Sequence, residues 1–204
     1  MESIPINLAV EDPLSEAVLR AILRQSNRPY EPGTCYCQGG YGYLKKTIKG
    51  FNNAAKGTPF LVLTDLDKAD CPPGLIQAWL PYPKHPNLLF RIAVREVEAW
   101  ILAHREAFAK FAGVQQELIP QDVDALEDPK RSLLQIVSRS KNRQLREAIV
   151  PRPNSTAKIG PDYNGQLITF VENDWQAEVA MCNSDSLQRT VNAITVFEPT
   201  WGNR

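Results

Sequence analysis

Apolar residues run along this chain in two rhythms. In the first, they come as short unbroken runs: "IPINLAV" at 4–10, "PFLVLTD" at 59–65 and "NLLFRIAV" at 87–94. Phe60, Leu61, Val62 and Leu63 are consecutive, with no alternation, the pattern of a strand covered on both faces as in a parallel sheet. In the second rhythm, apolar residues return every three or four positions. "LSEAVLRAILRQ" places Leu14, Val18, Ala21, Ile22 and Gln25 on or near one face, with Asp12 and Ser15 both suited to cap its start. "YGYLKKTIKGFNNAAKG" predicts a helix stopping near Gly57, and "PPGLIQAWL" a helix opened by proline. "VEAWILAHREAFAKFAG" predicts one helix with Val97, Trp100, Ile101, His104, Phe108 and Phe111 in a stripe and Gly113 at its end. The turn-rich "NRPYEPGTCYCQGG" leaves room for a short edge strand.

Strands alternating with helices imply an α/β fold: a parallel sheet flanked by helices over residues 1–113. Residues 114–204 carry no convincing strand. "PKRSLLQIVSRS", "NRQLREAIV", "GQLITFVEN", "WQAEVAMC" and "SLQRTVNAITVF" read as short helices, with "VPRPNSTAKIGPDYNG" as a loop. The expectation is one compact unit over 1–204, an α/β core with a mainly helical C-terminal extension.

With 43% hydrophobic and 23% charged residues, the chain is globular rather than disordered. The formal net charge is zero, so any contact with nucleic acid has to come from a local patch. No apolar stretch approaches the roughly 20 residues of a membrane-spanning helix. "MESIPINLAV" lacks the basic start and long apolar run of a signal peptide, which points to the cytoplasm. Cys35, Cys37, Cys71 and Cys182 are then expected as reduced thiols. Cys35 and Cys37 form a CxC without a second pair, so plain thiols are favoured over zinc.

Charge matters most at the strand ends, because ligands of an open parallel sheet bind beyond its carboxyl edge. The first run leads into Glu11 and Asp12, the second into Asp65, Asp67 and Asp70, the third into Glu96 and Glu98. Two carboxylates about 5 Å apart repel by about 3 kcal/mol at an effective dielectric near 20. A group of them either raises its pKa values or takes a cation, and hard oxygen ligands suit Mg²⁺ or Mn²⁺. Such an ion polarises a phosphoryl oxygen and activates water. The plainer reading has Asp70 capping the next helix and Glu98 on the solvent side of its own. A dehalogenase-type nucleophile motif wants Thr or Val two residues after the second aspartate, where this chain has Ala69. A glycosyltransferase DxD, binding a nucleotide-sugar through Mn²⁺, remains compatible with this stretch.

Glutamate after the first strand and DxD after a later one resemble the Toprim fold of topoisomerases, primases and overcoming-lysogenization-defect nucleases. As a set, "AVEDPLSEAVLRAIL", "GGYGYLKK", "LTDLD", "REVEAWILA", "GPDYN" and "SDSLQR" resemble an uncharacterised prokaryotic Toprim-related family. The resemblance implies Mg²⁺-dependent nuclease chemistry on DNA or RNA. Glu11, Asp65 and Asp67 would take the acidic metal positions, Asp70 would lie beside them, and Glu96 and Glu98 would hold a second ion or orient water. It also implies an ATPase partner encoded nearby, as in defence-type gene clusters. Typical Toprim chains have Gly after the first glutamate, whereas this one has Asp12. A different class of function, a non-catalytic adaptor binding an ATPase, nucleic acid or a regulatory ion, fits the same features.

Two further stretches suit phosphate. "QGGYGYLKK" is a glycine-rich turn opening a helix; Gly39, Gly40 and Gly42 let backbone N–H groups approach an anion, with Lys45 and Lys46 close behind. It lacks Walker A spacing. Residues 129–158 carry Lys130, Arg131, Arg139, Lys141, Arg143, Arg146, Arg152 and Lys158 against the single acid Glu147, a patch compatible with phosphate-backbone binding or a solvated face. Tyr163 in "GPDYN" is expected either to contact a base or sugar or to pack within a turn. His104, on an apolar stripe, reads as a core histidine, and Trp79, Trp100 and Trp175 as core anchors.

Overall fold

The unbroken apolar runs become strands and the periodic ones helices in a computed structural model, which describes residues 3–201. In chain order come β1 (Ile4–Ala9), α1 (Pro13–Gln25), β2 (Tyr30–Tyr36), α2 (Gly40–Ala54), β3 (Phe60–Asp65), α3 (Pro72–Trp79) and β4 (Leu88–Ala93). All pairings are parallel, in the order β2-β1-β3-β4. The chain leaves β1 for β2 on one side, then returns to add β3 and β4 on the other. That reversal makes the carboxyl edge between β1 and β3 a topological switch point, where open α/β sheets bind their ligands.

The lack of alternation in β3 has a direct cause. Leu61 and Leu63 enter one apolar core with Ile6 and Leu8 of β1, while Phe60 and Val62 enter a second core on the opposite face with α2 and α3. Both faces are dry, so neither rejects an apolar side chain. Caps follow the sequence where they are local. The Asp12 carboxylate accepts from the Ser15 N–H at 2.8 Å, and Pro72 opens α3. Asp12 itself is extended (φ −150°, ψ 168°), a backbone that any residue adopts, so the position where Toprim chains carry glycine makes no demand for one here.

The helix expected over 97–113 is two: α4 (Val97–Ala103) and α5 (Arg105–Ala112), ended by Gly113. His104 leaves helical geometry between them (φ −83°, ψ 67°), and its buried Nδ1 accepts from the Gln176 N–H at 3.0 Å. It is thus the satisfied core histidine that its position suggested. The stripe stays buried through the break at Val97, Trp100, Ile101 and Phe108.

A short 3₁₀ turn (Gln116–Leu118) leads into α6 (Pro129–Ser138), α7 (Arg143–Ile149), α8 (Tyr163–Asn173), α9 (Ala177–Ala180) and α10 (Asp185–Thr195). α8 packs on α1, and α10 packs along the edge strand β4. Trp100 and Trp175 join these helices to the sheet: Trp175 Nε1 donates to the Trp100 carbonyl at 3.0 Å. None of the described helices is long and apolar enough to cross a membrane.

Candidate metal centre

The register of β1 on β3 brings the first carboxylates together. Ala9 lies opposite Val62, and two residues further on Glu11 reaches the end of β3. Its Oε1 accepts from the Thr64 hydroxyl and, at 3.0 Å, from the Asp65 N–H. Asp65 closes β3 opposite Ala93 of β4, and its Oδ1 accepts from the Val97 N–H at 3.0 Å, holding the start of α4. β1, β3 and the β4–α4 connection therefore meet at the switch point through the side chains of Glu11 and Asp65.

Asp67 follows two residues beyond the strand end, exposed, with a left-handed backbone (φ 49°). Aspartate tolerates that conformation better than most residues. Its chain is pinned there: the Asp67 N–H donates to the Arg95 carbonyl at 3.0 Å, and Arg95 Nη1 donates back to the carbonyls of Asp67 and Ala69. Asp70 is exposed, just before Cys71, which is the N-cap residue of α3 in the place expected for Asp70.

Electrostatics tie the set together. Burial pushes the Asp65 carboxyl well above its usual range, and the charges of Glu98, Glu11, Asp12 and Asp67 add to the rise. Glu11 is raised by burial against its two hydrogen bonds, with Asp67 and Asp12 repelling it. Glu96 is raised by burial, with Asp128 and Asp67 contributing and Lys130 opposing.

Glu98 departs from the solvent-facing alternative: it is 2% exposed. Its position on the first turn of α4 points it between α6 and α8. There Oε1 accepts from the Tyr163 hydroxyl at 2.8 Å and lies 3.3 Å from Lys130 Nζ. Oε2 is buried without a hydrogen-bond partner. Glu96 turns to the same lysine: its Oε2 accepts from the Lys130 backbone N–H at 2.8 Å and its Oε1 lies 3.9 Å from Nζ. Burial alone would lower the Lys130 pKa, but Glu98, Glu96 and Asp65 reverse that and hold it raised.

Two expected contacts with nucleic acid change accordingly. Tyr163 is 2% exposed, with its hydroxyl spent on Glu98, so it has no face for a base or sugar. Lys130 is half-buried, with its ammonium turned to Glu96 and Glu98. Arg139 stands beyond the far end of α6, about 14 Å along the axis from Lys130 at 1.5 Å per residue. Lys141 and Arg143 follow it, exposed, with Arg143 Nε on Glu147 at 2.7 Å. Arg139, Lys141 and Arg143 thus stand away from the end of α6 where Lys130 meets Glu96 and Glu98.

The glycine-rich turn lies on the carboxyl edge, after β2 and beside the end of β1. Gly39 and Gly40 both have positive φ (81° and 62°), which only glycine takes without strain, and α2 begins there without a side-chain cap. Gly42, Lys45 and Lys46 are exposed on its first turns. A cavity of about 470 Å³ runs from the same edge along the outside of β4, lined by Pro72, Ile76, Phe90, Ile92, Arg91 and Arg189.

Oxygen donors alone make up the set, which suits a hard divalent cation. The crowding of carboxylates around the desolvated Asp65 is the strain that a cation would relieve. Among the described residues, no three His, Cys, Asp or Glu side chains stand close enough together to hold a metal ion. Mg²⁺ is often held by one or two carboxylates while keeping several waters, and of the expected set the structure brings Glu11 and Asp65 into direct contact, through the Asp65 N–H, while Asp67 stays exposed beside them. Compared with protein-family models, curated proteins and solved structures, the chain finds no match.

Proposed function

We propose that the protein hydrolyses phosphodiester bonds in DNA or RNA with a divalent cation, Mg²⁺ or Mn²⁺, as a Toprim-type nuclease working beside an ATPase. The observation that carries this reading is Asp65: a half-buried carboxyl at a topological switch point, its pKa raised by desolvation and by four neighbouring carboxylates. A carboxylate cluster kept at the ligand-binding edge of a sheet destabilises the fold unless a cation compensates it.

Glu11, Asp65 and Asp67 would hold the ion, which when bound polarises a phosphoryl oxygen and lowers the pKa of water. The chain's own groups position the rest. Thr64 and the Asp65 N–H orient Glu11, and the Val97 N–H orients Asp65. The open N-terminus of α2, with Lys45 and Lys46, offers N–H groups and positive charge to a phosphate of the substrate strand. The cavity beside β4 gives an adjoining nucleotide an apolar wall and two guanidinium groups.

The test is cleavage of plasmid, single-stranded DNA and single-stranded RNA with Mg²⁺ or Mn²⁺. Asp65→Ala and Asp67→Ala are expected to lower the rate by more than the roughly 10–100-fold typical of outer-shell changes. Cleavage that survives both substitutions removes these residues from the chemistry.

The adaptor reading keeps one specific support: Lys130 already neutralises part of the cluster. An adaptor would capture its ATPase partner yet cleave nothing with any divalent ion.

A further inference from the structure

We propose that the cavity outside β4 binds a single nucleotide without any metal ion, its phosphate held by Arg91 and Arg189 and its base lying along the free edge of the strand. The place of this pocket in a reaction rests on the phosphodiester reading above; the binding itself uses none of Glu11, Asp65 and Asp67.

β4 is the last strand of the sheet, so half of its backbone groups face no neighbouring strand. The carbonyls of Asn87 and Ala93 accept from Phe60 and Leu66, each at 2.9 Å, on the β3 side. Alternate residues of a strand face alternate sides, so Leu88, Phe90, Ile92 and Val94 turn their N–H and C=O groups outward. Both ends of that outer edge are closed. Lys84 Nζ donates to the Leu88 carbonyl at 2.7 Å, and the Val94 N–H donates to Ser186 Oγ at 3.3 Å. Phe90 and Ile92, between them, keep outward groups that bond to nothing else among the described residues. Two residues span about 7 Å of strand at 3.3 Å per residue. That is short for an added peptide strand of about five residues, and it suits the hydrogen-bonding edge of one base.

The cavity along this edge, about 470 Å³, has the volume of a small-molecule site. Pro72, Ile76 and Ile92 give it an apolar wall, and two arginines enter it, Arg91 from β4 and Arg189 from α10. The two elements meet at this level: Arg91 Nε donates to the hydroxyl of Thr190, the neighbour of Arg189, at 3.3 Å. That contact leaves the two terminal nitrogens of Arg91 free, and among the described residues neither arginine has an ion pair. Burial lowers the Arg91 pKa, and the charge of Arg189 lowers it further. Two guanidinium groups set against each other in a half-dry cleft are relieved by an anion, and their planar forks match phosphate oxygens. Carboxylates line only the other end, beside Val94. Asp124 is spent there on the Ser184 hydroxyl at 2.7 Å and the Ser186 N–H at 2.8 Å. Asp185 begins α10 four residues before Arg189, about 6 Å along the axis. With the phosphate on the arginines, Asp185 can accept from a sugar hydroxyl or a base amino group, and it repels a phosphate bound the other way round.

Calorimetric titration in EDTA tests the site, with adenosine and uridine 5′-monophosphate, adenosine, inorganic phosphate and a triaspartate peptide as probes. At least one monophosphate is expected to bind, with adenosine and inorganic phosphate each at least about tenfold weaker, the scale of one hydrogen bond to a charged group. Arg189 is exposed, so Arg189→Ala spares the core; it is expected to weaken the monophosphate at least about tenfold. A 5′-phosphorylated tetranucleotide distinguishes the sources: tighter binding than the monophosphate assigns the pocket to a strand end, weaker binding to the free nucleotide. No binding of either monophosphate, adenosine as tight as its monophosphate, no effect of Arg189→Ala, or tighter binding of the peptide overturns the proposal. Metal-dependent cleavage by a protein that binds neither monophosphate keeps the reading above and removes this one; nucleotide binding without cleavage does the reverse.

Discussion

At the residue scale, Asp65 shows how a site can oppose the fold that carries it. Its carboxyl is pushed up by burial and then by Glu98, Glu11, Asp12 and Asp67, so the folded protein favours its protonated form more than the unfolded chain does. The contribution of Asp65 to stability therefore falls as pH rises from its unfolded value of about 4 through the raised folded value. Asp65→Asn keeps an oxygen for the Val97 N–H and removes the charge. Without divalent ions, the variant is expected to melt about 2–4 °C higher near pH 7, with the gain shrinking as pH falls towards about 4. Thermal unfolding of both proteins across that range checks it, and a lower Tm for the variant at neutral pH contradicts it. Glu11, Asp65 and Asp67 were all legible as candidates, because each directly follows an apolar run. Lys130 was legible only as one more basic residue in a basic stretch. The turn of its ammonium depends on Glu96 and Glu98, more than thirty positions earlier, and no local pattern encodes that pairing.

At the scale of elements, the carboxyl edge is assembled by connections. α7 and α8 are joined by a tight passage in which Gly160 donates to the Ile149 carbonyl at 2.8 Å. A Cβ there would stand 2.3 Å from the Ala148 carbonyl oxygen and 2.6 Å from the Ile149 carbonyl carbon, both backbone atoms with little freedom to yield. Gly160→Ala is expected to cost about 3 kcal/mol, the upper end of overpacking penalties, read from the urea midpoint. Because α8 begins with Tyr163 three residues later, the same change should also loosen the Tyr163–Glu98 hydrogen bond; an unchanged urea midpoint would show that the passage is slack. Elements of this kind were readable from periodicity to within a few residues, α6, α7, α8 and α10 among them. The break at His104 was not, since the apolar stripe runs through it; the contact of His104 with Gln176 accompanies a break that spacing within 97–113 does not mark.

At the scale of the whole molecule, the two halves expected from the sequence share one core. A single apolar cluster runs from Ile6 and Leu8 in the sheet through Trp100 and Phe108 to Leu167, Phe170 and Ile194 in the C-terminal helices. A chain cut after Gly113 would expose the α1 face that α8 covers and the β4 edge that α10 covers. It is expected to lack cooperative thermal unfolding and near-ultraviolet circular dichroism; a sharp transition in that fragment would make residues 1–113 an independent domain. The sequence alone determined the strands, nearly all the helices, the parallel sheet and the carboxylates at its strand ends. These follow from the spacing of apolar residues, which is local and reports the face each side chain takes. Tertiary structure alone decided what lies on the other side of that face: Glu98 buried rather than solvated, Tyr163 turned to it, the Lys130 ammonium drawn to Glu96 and Glu98, and Arg139 left at the far end of α6. Periodicity specifies that a side chain is covered; only the packing of distant segments specifies by what.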